Sequence, residues 1–281
     1  MNTTLISHTQ KNSKQMLFYA IIVLVTNYRF RGIMKLSYEI ITTCDTYRAN
    51  PLIQATIGMN IIMNRTFTLA LMQTYLDLDN SESFDDFSTI QIPAQKVKEI
   101  CGSNYSEYYR RLKKAINARQ KDISVQKDSC LGERFIAIPI FDRITFDVKN
   151  GLVFKFNKII APYIAELKSR QYTKIAAPHS FALSSVYAVR ILELLLEYKN
   201  IDMFKRKKMI SRIVTIEDMR WFLGITDEKY LRTYDFVKKV IEYPISEINR
   251  VTPFNVKYES IFGGRTIRSV RLMMDLPKSD S

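Results

Sequence analysis

The chain has 281 residues, 47% of them hydrophobic, enough to bury a full core and compatible with two domains of ordinary size. Lys and Arg number 42 against 28 Asp and Glu, a formal charge of +14, which favours a polyanionic partner over a pocket for acidic substrates. The three cysteines, Cys44, Cys101 and Cys130, match neither a metal-binding spacing nor a disulfide framework, and read as reduced thiols of a cytoplasmic protein.

Taken in chain order, Lys11 and Lys14 precede an apolar run over residues 16–25, the layout of a signal peptide. Tyr28, Arg29, Phe30 and Arg31 stand where a small-residue cleavage site belongs, and the run is shorter than the about 20 residues of a bilayer span. Residues 1–33 therefore read as an extension upstream of a functional start at Met34, with an interfacial anchor or an extra core helix as alternatives. Residues 38–43 read as a strand and 49–55 as a turn into a short helix. Asn64 is the expected cap of a helix running to Asp79, and residues 81–86 form an acidic loop.

Residues 87–92 are extended, and Pro93 suits the first turn of a helix that closes at Gly102. A helix over about 104–119 follows, in which Tyr105, Tyr108 or Tyr109, Leu112 and Ile116 recur as a buried stripe. Its other side carries Arg110, Arg111, Lys113, Lys114 and Asn117; positions 110, 113, 114 and 117 project from one face. Cations there can neutralise phosphates, and Arg or Asn can read base edges. Extended runs at 123–126 and 135–155 complete the unit.

Residues 157–167, with Pro162 at the centre, and the basic stretch through Lys168, Arg170 and Lys174 read as a hinge between domains. A helix over about 184–199 is apolar on more than one face and reads as the central core helix of the second domain. The run Lys205, Arg206, Lys207, Lys208 is a solvated loop or a phosphate contact.

The same order of elements then recurs. Thr215 and Asp218 have helix-start spacing for residues 216–223, with the lone Trp221 in the core, and Gly224 supplies the turn. A helix over about 233–249 has Thr233 as expected cap and Asp235 in its first turn. Val237, Ile241, Ile245 and Ile248 face inward, and Pro244 should kink it. Lys229, Arg232, Lys238 and Lys239 lie around its beginning, where recognition helices touch bases and backbone. Strands at 254–259 and 266–275 enclose a Gly263-Gly264-Arg265 tip, and Arg265, Arg268 and Arg271 make a basic wing on which Arg268 points away from the other two. Helix, Gly turn, second helix and hairpin is the order of a winged helix, and two copies suggest two DNA half-sites.

Four motifs in order carry a resemblance: residues 49–55 (ANPLIQA), 186–195 (VYAVRILELL), 234–239 (YDFVKK), and 246–249 (SEIN) followed by Thr252-Pro253 and Tyr258. Over about residues 34–276 the chain resembles the replication initiator proteins of iteron-containing plasmids. The resemblance implies an α+β fold of two tandem winged-helix domains related by a pseudo-two-fold, over 34–167 and 168–276, with a tail at 277–281. It implies a monomer bound to direct repeats at a plasmid origin, and a dimer that binds an inverted repeat and represses its own gene. Arg232 and Lys238 take positions where the family reads bases in the major groove. The chain departs from the family at Ile191-Leu192, where Leu-Tyr is usual, and at Lys238, where Arg is common and would give bidentate guanine readout.

Enzymatic classes lack their machinery. There is no G-x-x-x-x-G-K-[ST] motif, His8 and His179 are the only histidines, and the pairs Asp85-Asp86 and Glu217-Asp218 read as loop and cap. The expected function is sequence-specific binding of origin repeats, origin melting by DNA bending, and recruitment of a host initiator and helicase, with no cofactor, metal or membrane. A nuclease or recombinase and a dedicated transcriptional repressor are the competing readings. The expected DNA contacts are Arg110, Arg111, Lys113, Lys114, Asn117, Lys229, Arg232, Lys238, Lys239, Arg265 and Arg268.

Overall fold

The computed structural model describes residues 45–78, 89–95, 105–117, 123–128, 134–147, 150–164, 172–197, 199, 209–225 and 228–275. The readings made for residues 1–33, 38–43, 81–86 and 205–208, for Gly102 and for the three cysteines lie outside them. Among the described residues no helix is long and apolar enough to cross a membrane.

The chain enters through β1 (Asp45–Ala49) and helix α1 (Asn50–Gln54), whose Pro51 sits at a helix start, where a missing N–H costs nothing. After the short β2 (Thr56–Ile57) comes α2 (Ile61–Leu78). The cap here is Asn60 and not Asn64: the Asn60 Oδ1 accepts from the Met63 N–H at 2.9 Å, and Asn64 lies one turn inside, buried. The α2 helix is covered on every side over 62–72, and its buried polar residues turn inward on the protein itself. Thr66 and Thr68 donate to the carbonyls of Ile62 and Asn64, and Arg65 donates to those of Phe181 and Leu183.

Two copies of one unit follow. In the first, β3 (Thr89–Ile92) leads through Pro93 into the start of a helix at 94–95, then α3 (Tyr105–Asn117), and closes with β6 (Phe141–Asp147) and β7 (Gly151–Phe156) in the order β3-β7-β6. In the second, β9 (Met209–Thr215) leads to α7 (Ile216–Phe222), a long helical segment over 233–251, and β10 (Val256–Gly263) with β11 (Thr266–Asp275) in the order β10-β11-β9. The opening strand therefore pairs with the last hairpin strand in both units. This is the winged-helix arrangement, present twice.

The first unit carries an insertion. Residues 135–155, expected as one extended run, divide into β5 (Arg134–Pro139), β6 and β7, and β5 pairs with β4 (Ile123–Asp128), which in turn pairs with β2. Pro139 has no N–H to continue a ladder, and the buried Ile140 carries the chain from one sheet to the next. Gly151 has φ +90°, and a Cβ there would come within 2.1 Å of the Ile92 carbonyl, so the β3–β7 approach admits only glycine.

The stretch expected to form a hinge is partly regular. A 3-10 turn (Lys158–Ile160) and α4 (Ala161–Ile164) follow β7, and β8 (Tyr172–Ala176) pairs antiparallel with β1, which places Lys174 in a strand bonded to Asp45 at 2.6 Å. The rest of that stretch, residues 165–171 with Lys168 and Arg170, lies outside the described residues. Helices α5 (Ala177–Ala182) and α6 (Val186–Leu196) complete the connection. The Ser185 side chain caps α6, accepting from the Ala188 N–H.

The first core gathers Phe67 and Leu71 of α2 with Ile90, Leu112, Phe141, Phe154 and Phe156. Phe141 stacks on Phe156 at 5.0 Å between centroids, and Phe67 meets both edge-on. The second gathers Ile191, Leu192 and Leu195 of α6 with Met219, Phe236, Ile241, Val270 and Leu272, and also takes in Ile53 and Ile175 from the beginning of the fold. So α6 is central to the second core, as its all-round apolar pattern implied.

Between the cores lies a buried charge network. Glu193 of α6 pairs with Arg48 of β1 and, at 2.7 Å, with Arg190, all three 2% exposed or less. Arg190 donates to the carbonyls of Ile53 and Ala55 at 2.7 Å each and lies 4.3 Å above the Phe222 ring. Arg48 donates to Thr68 and lies over Phe67 at 4.9 Å. Burial lowers the Arg190 pKa, against the opposing pull of Glu193.

His179 of α5 is buried edge-on to Phe254. Burial, helped by the charge of Lys199 and opposed by that of Asp45, holds its pKa down to about 4 from 6.5. In this range the unfolded chain binds a proton that the folded chain excludes. Its contribution to stability is therefore present above pH 6.5 and lost as the pH falls toward 4. Urea midpoints measured between pH 7 and pH 4.5 are expected to fall with pH, and less steeply in His179→Leu.

Candidate nucleic-acid interface

The helix-turn-helix of the second unit is built by local rules. Thr215 Oγ1 accepts from the Asp218 N–H at 3.0 Å and donates to the Asp218 carboxylate at 2.7 Å, so Glu217 and Asp218 open a helix. At its other end Gly224 has φ +63°; its N–H bonds to Trp221 O and that of Ile225 to Arg220 O, the paired bonds of a Schellman motif. Trp221 is half-buried against the second core.

The loop before the recognition helix is held from α7. Arg220 donates to the carbonyls of Lys229, at 2.9 Å, and Tyr230, and its guanidinium lies 4.8 Å over the Phe236 ring. Tyr230 has φ +54°, a conformation unfavourable for a side chain this size, and is kept there by Arg220 and by a hydrogen bond with Tyr187. This clamp was not foreseen, since Arg220 reads in sequence as one more surface cation.

The recognition helix starts at Thr233 itself, the residue expected as its cap, and the cap is Arg232, one residue earlier. It runs as α8 (Thr233–Phe236), a π segment (Val237–Glu242) and α9 (Tyr243–Val251). Pro244 therefore does not interrupt an α-helix. The wider π turn ahead of it absorbs the hydrogen bond that proline cannot make. Phe236, Val237, Val240, Ile241, Ile245 and Ile248 are buried, while Arg232, Tyr234, Lys239, Tyr243 and Arg250 are exposed and Lys238 is partly so. Lys238 Nζ lies 6.0 Å from the Tyr234 ring and Lys239 Nζ 5.8 Å from that of Tyr230.

The SEIN-x-x-TP-x-x-x-x-Y residues tie this helix to its surroundings. Glu247 accepts from the Ser184 and Ser185 N–H groups at 2.8 and 3.2 Å, and so anchors the helix to the start of α6. Asn249 exchanges two hydrogen bonds, at 2.7 and 2.8 Å, with the backbone of Val256, which fixes the first wing strand to the helix. Tyr258 donates to Glu242 at 3.2 Å.

In the wing, Gly264 (φ +69°) and Arg265 make the tip. A register shift at 261/262 leaves Arg268 as the extra residue between the pairs Ile261–Ser269 and Phe262–Ile267, and its side chain lies across Gly263. The bulge breaks strict alternation, so the simple parity argument about Arg268 does not apply. Arg265 and Arg268 are exposed, and Arg271 pairs with Glu259 at 2.8 Å.

The first unit differs. Tyr108, Leu112 and Ala115 form the buried stripe of α3, with Tyr109 half-buried and its ring 4.0 Å from that of Phe146. Arg110 and Arg111 both bond to Glu107, at 2.8 and 2.5 Å, and these bonds hold its carboxyl down to about 2. Lys113 and Lys114 are exposed on the same helix, and the side chain of Asn117 lies outside the described residues. The structure thus groups Lys229, Arg232, Lys238 and Lys239 around one helix start, Arg265 and Arg268 at one hairpin tip, and Lys113 and Lys114 on the other unit. Among the described residues no group of three His, Cys, Asp or Glu could hold a metal ion.

Comparison with curated proteins finds none that matches. Among solved structures the chain is similar to the Pi initiator protein crystallised with iteron DNA. The TM-score is 0.64 and the identity 22%, over 84% of this chain and 98% of that one. The WH1 part of the initiator replication protein family matches residues 46–196 and its WH2 part residues 215–274. With both halves matched in order on two winged-helix units, the chain belongs to the initiator replication protein family and is a replication initiator, not an enzyme.

Proposed function

We propose that the protein starts replication of a plasmid in the cytoplasm by binding direct repeats at the origin as a monomer. The bound protein bends the duplex, helps to melt it and recruits a host initiator and helicase; as a dimer it represses its own gene. The observation that carries this reading is the duplicated helix–helix–hairpin unit with its basic helix start and wing, in a fold shared with an initiator crystallised on iteron DNA. Arg232 and Lys238 read bases, Lys229, Lys239, Arg265 and Arg268 hold the backbone around them, and Lys113 and Lys114 bind phosphates through the first unit. Arg110 and Arg111 join them once released from Glu107, and Asn117 extends the same helix face.

Footprinting on DNA flanking the gene tests the proposal. Protection of direct repeats spaced by about two helical turns is expected. The same protein should neither hydrolyse ATP nor nick supercoiled DNA with Mg2+. Protection without any repeat, or failure to support a plasmid deprived of its own initiator, would contradict it.

A further inference from the structure

Leu231 is 78% exposed, more than any other large hydrophobic residue described, and it stands directly before Arg232 at the start of the recognition helix. It is not loose. The carbonyls of Lys229 and Tyr230 just before it are held by Arg220, and Tyr230 is turned back toward Tyr187, so the backbone presents Leu231 outward while its neighbour is half-buried. Lys229 and Arg232 flank this position in sequence, Tyr234, 68% exposed, follows three residues on, and Lys238 and Lys239 lie further along the same helix. An isobutyl group between Lys229 and Arg232 in the chain does nothing for a phosphate. In the major groove, the apolar feature that base edges offer is the C5-methyl of thymine.

We propose that Leu231 is a specificity residue that packs on a thymine methyl within the repeat, a role that rests on the reading of this helix as the base-reading element. It supplies discrimination that Lys238, on the same helix, lacks, because an ammonium cannot form the bidentate fork of a guanidinium.

The test uses the full chain and the duplex bounded by its own footprint, with each thymine replaced in turn by deoxyuridine. Wild-type affinity should fall roughly fourfold at one or two positions, the worth of a buried methyl-sized group. Leu231→Ala should bind the unmodified duplex more weakly by a similar factor, be indifferent to uracil at those positions, and keep its affinity for random DNA. Leu231→Met, which keeps an apolar side chain of similar volume, should restore the uracil effect. Uracil effects of equal size in wild type and Leu231→Ala, or none in wild type, overturn the role of Leu231 alone. A wild type that does not prefer its footprinted duplex to random DNA overturns the base-reading proposal and this one with it.

Discussion

Glu193→Gln is expected to destabilise the protein by about 3–5 kcal/mol, a large part of the about 5–15 kcal/mol that holds an ordinary domain together. The substitution keeps the shape of the side chain and removes its charge. Arg48 and Arg190 then remain buried, 1% and 2% exposed, with no carboxylate between them. The cost is mainly that of two buried guanidinium groups that lose their shared counter-charge, with only the weaker pull of Glu197 left on Arg190. Because Arg48 lies over Phe67 of the first core and Arg190 over Phe222 of the second, the loss should reach both halves. A melt followed by circular dichroism should show a midpoint lower by on the order of 10 °C. Glu107→Gln is the contrasting variant. It also removes a carboxylate shared by two arginines, but on an exposed helix face, where water and salt screen the pair, so its melt should stay close to wild type. Equal shifts in the two variants would show that the buried network contributes no more than a surface pair.

This network also marks where sequence reading stops. Arg190 and Glu193 are three apart on a helix, the spacing of a common surface pair, and nothing local says that the pair is buried or that Arg48 completes it from 145 residues away. Two of the motifs behind the family resemblance, ANPLIQA and VYAVRILELL, acquire a physical meaning only in three dimensions. The second supplies the guanidinium that holds the backbone of the first at Ile53 and Ala55. Asn64 is misplaced for the same reason: expected as a cap, it lies inside α2 and is buried together with Arg65, Thr66 and Thr68.

Where the governing interactions are short-range, the sequence was legible. The Thr215–Asp218 cap, the Gly224 turn, the inward positions of the recognition helix and the 263–265 tip each follow from residues within one turn or one hairpin. The order of elements followed from their duplication. The β4–β5 insertion did not, because a strand's partner is chosen by the whole fold while its propensity is local: 135–155 is uniformly extended, yet it serves two sheets. The irregularity expected at Pro244 follows from the missing N–H, but the π turn over Val237–Glu242 that precedes it has no local signal in the sequence. At the interface, composition could find cations and could not tell which were engaged. Arg110, Arg111 and Arg271 are held by acidic neighbours, whereas Arg232, Lys239 and Lys114 are exposed at the surface.

The exposed group divides further, and the division is measurable. Arg232 caps the recognition helix, and on the proposed reading this end enters a major groove, so that its loss would remove contacts to base edges. Arg232→Ala is expected to cost about 1–3 kcal/mol on the footprinted repeat, roughly 5- to 150-fold in affinity, with little change on random DNA. Lys114 is exposed on α3 of the first unit, and on the same reading it would contribute charge without sequence information. Lys114→Ala should weaken both duplexes by the same factor and reduce the slope of log affinity against log salt by about one unit. The ratio of specific to non-specific affinity therefore collapses in the first variant and survives in the second. Both side chains point into solvent, so neither change should disturb the cores, and melts of the two variants should coincide with wild type. If Arg232→Ala weakened repeat and random DNA equally and lowered the salt slope, the helix start would be an electrostatic anchor, and base reading would have to lie elsewhere on the two units.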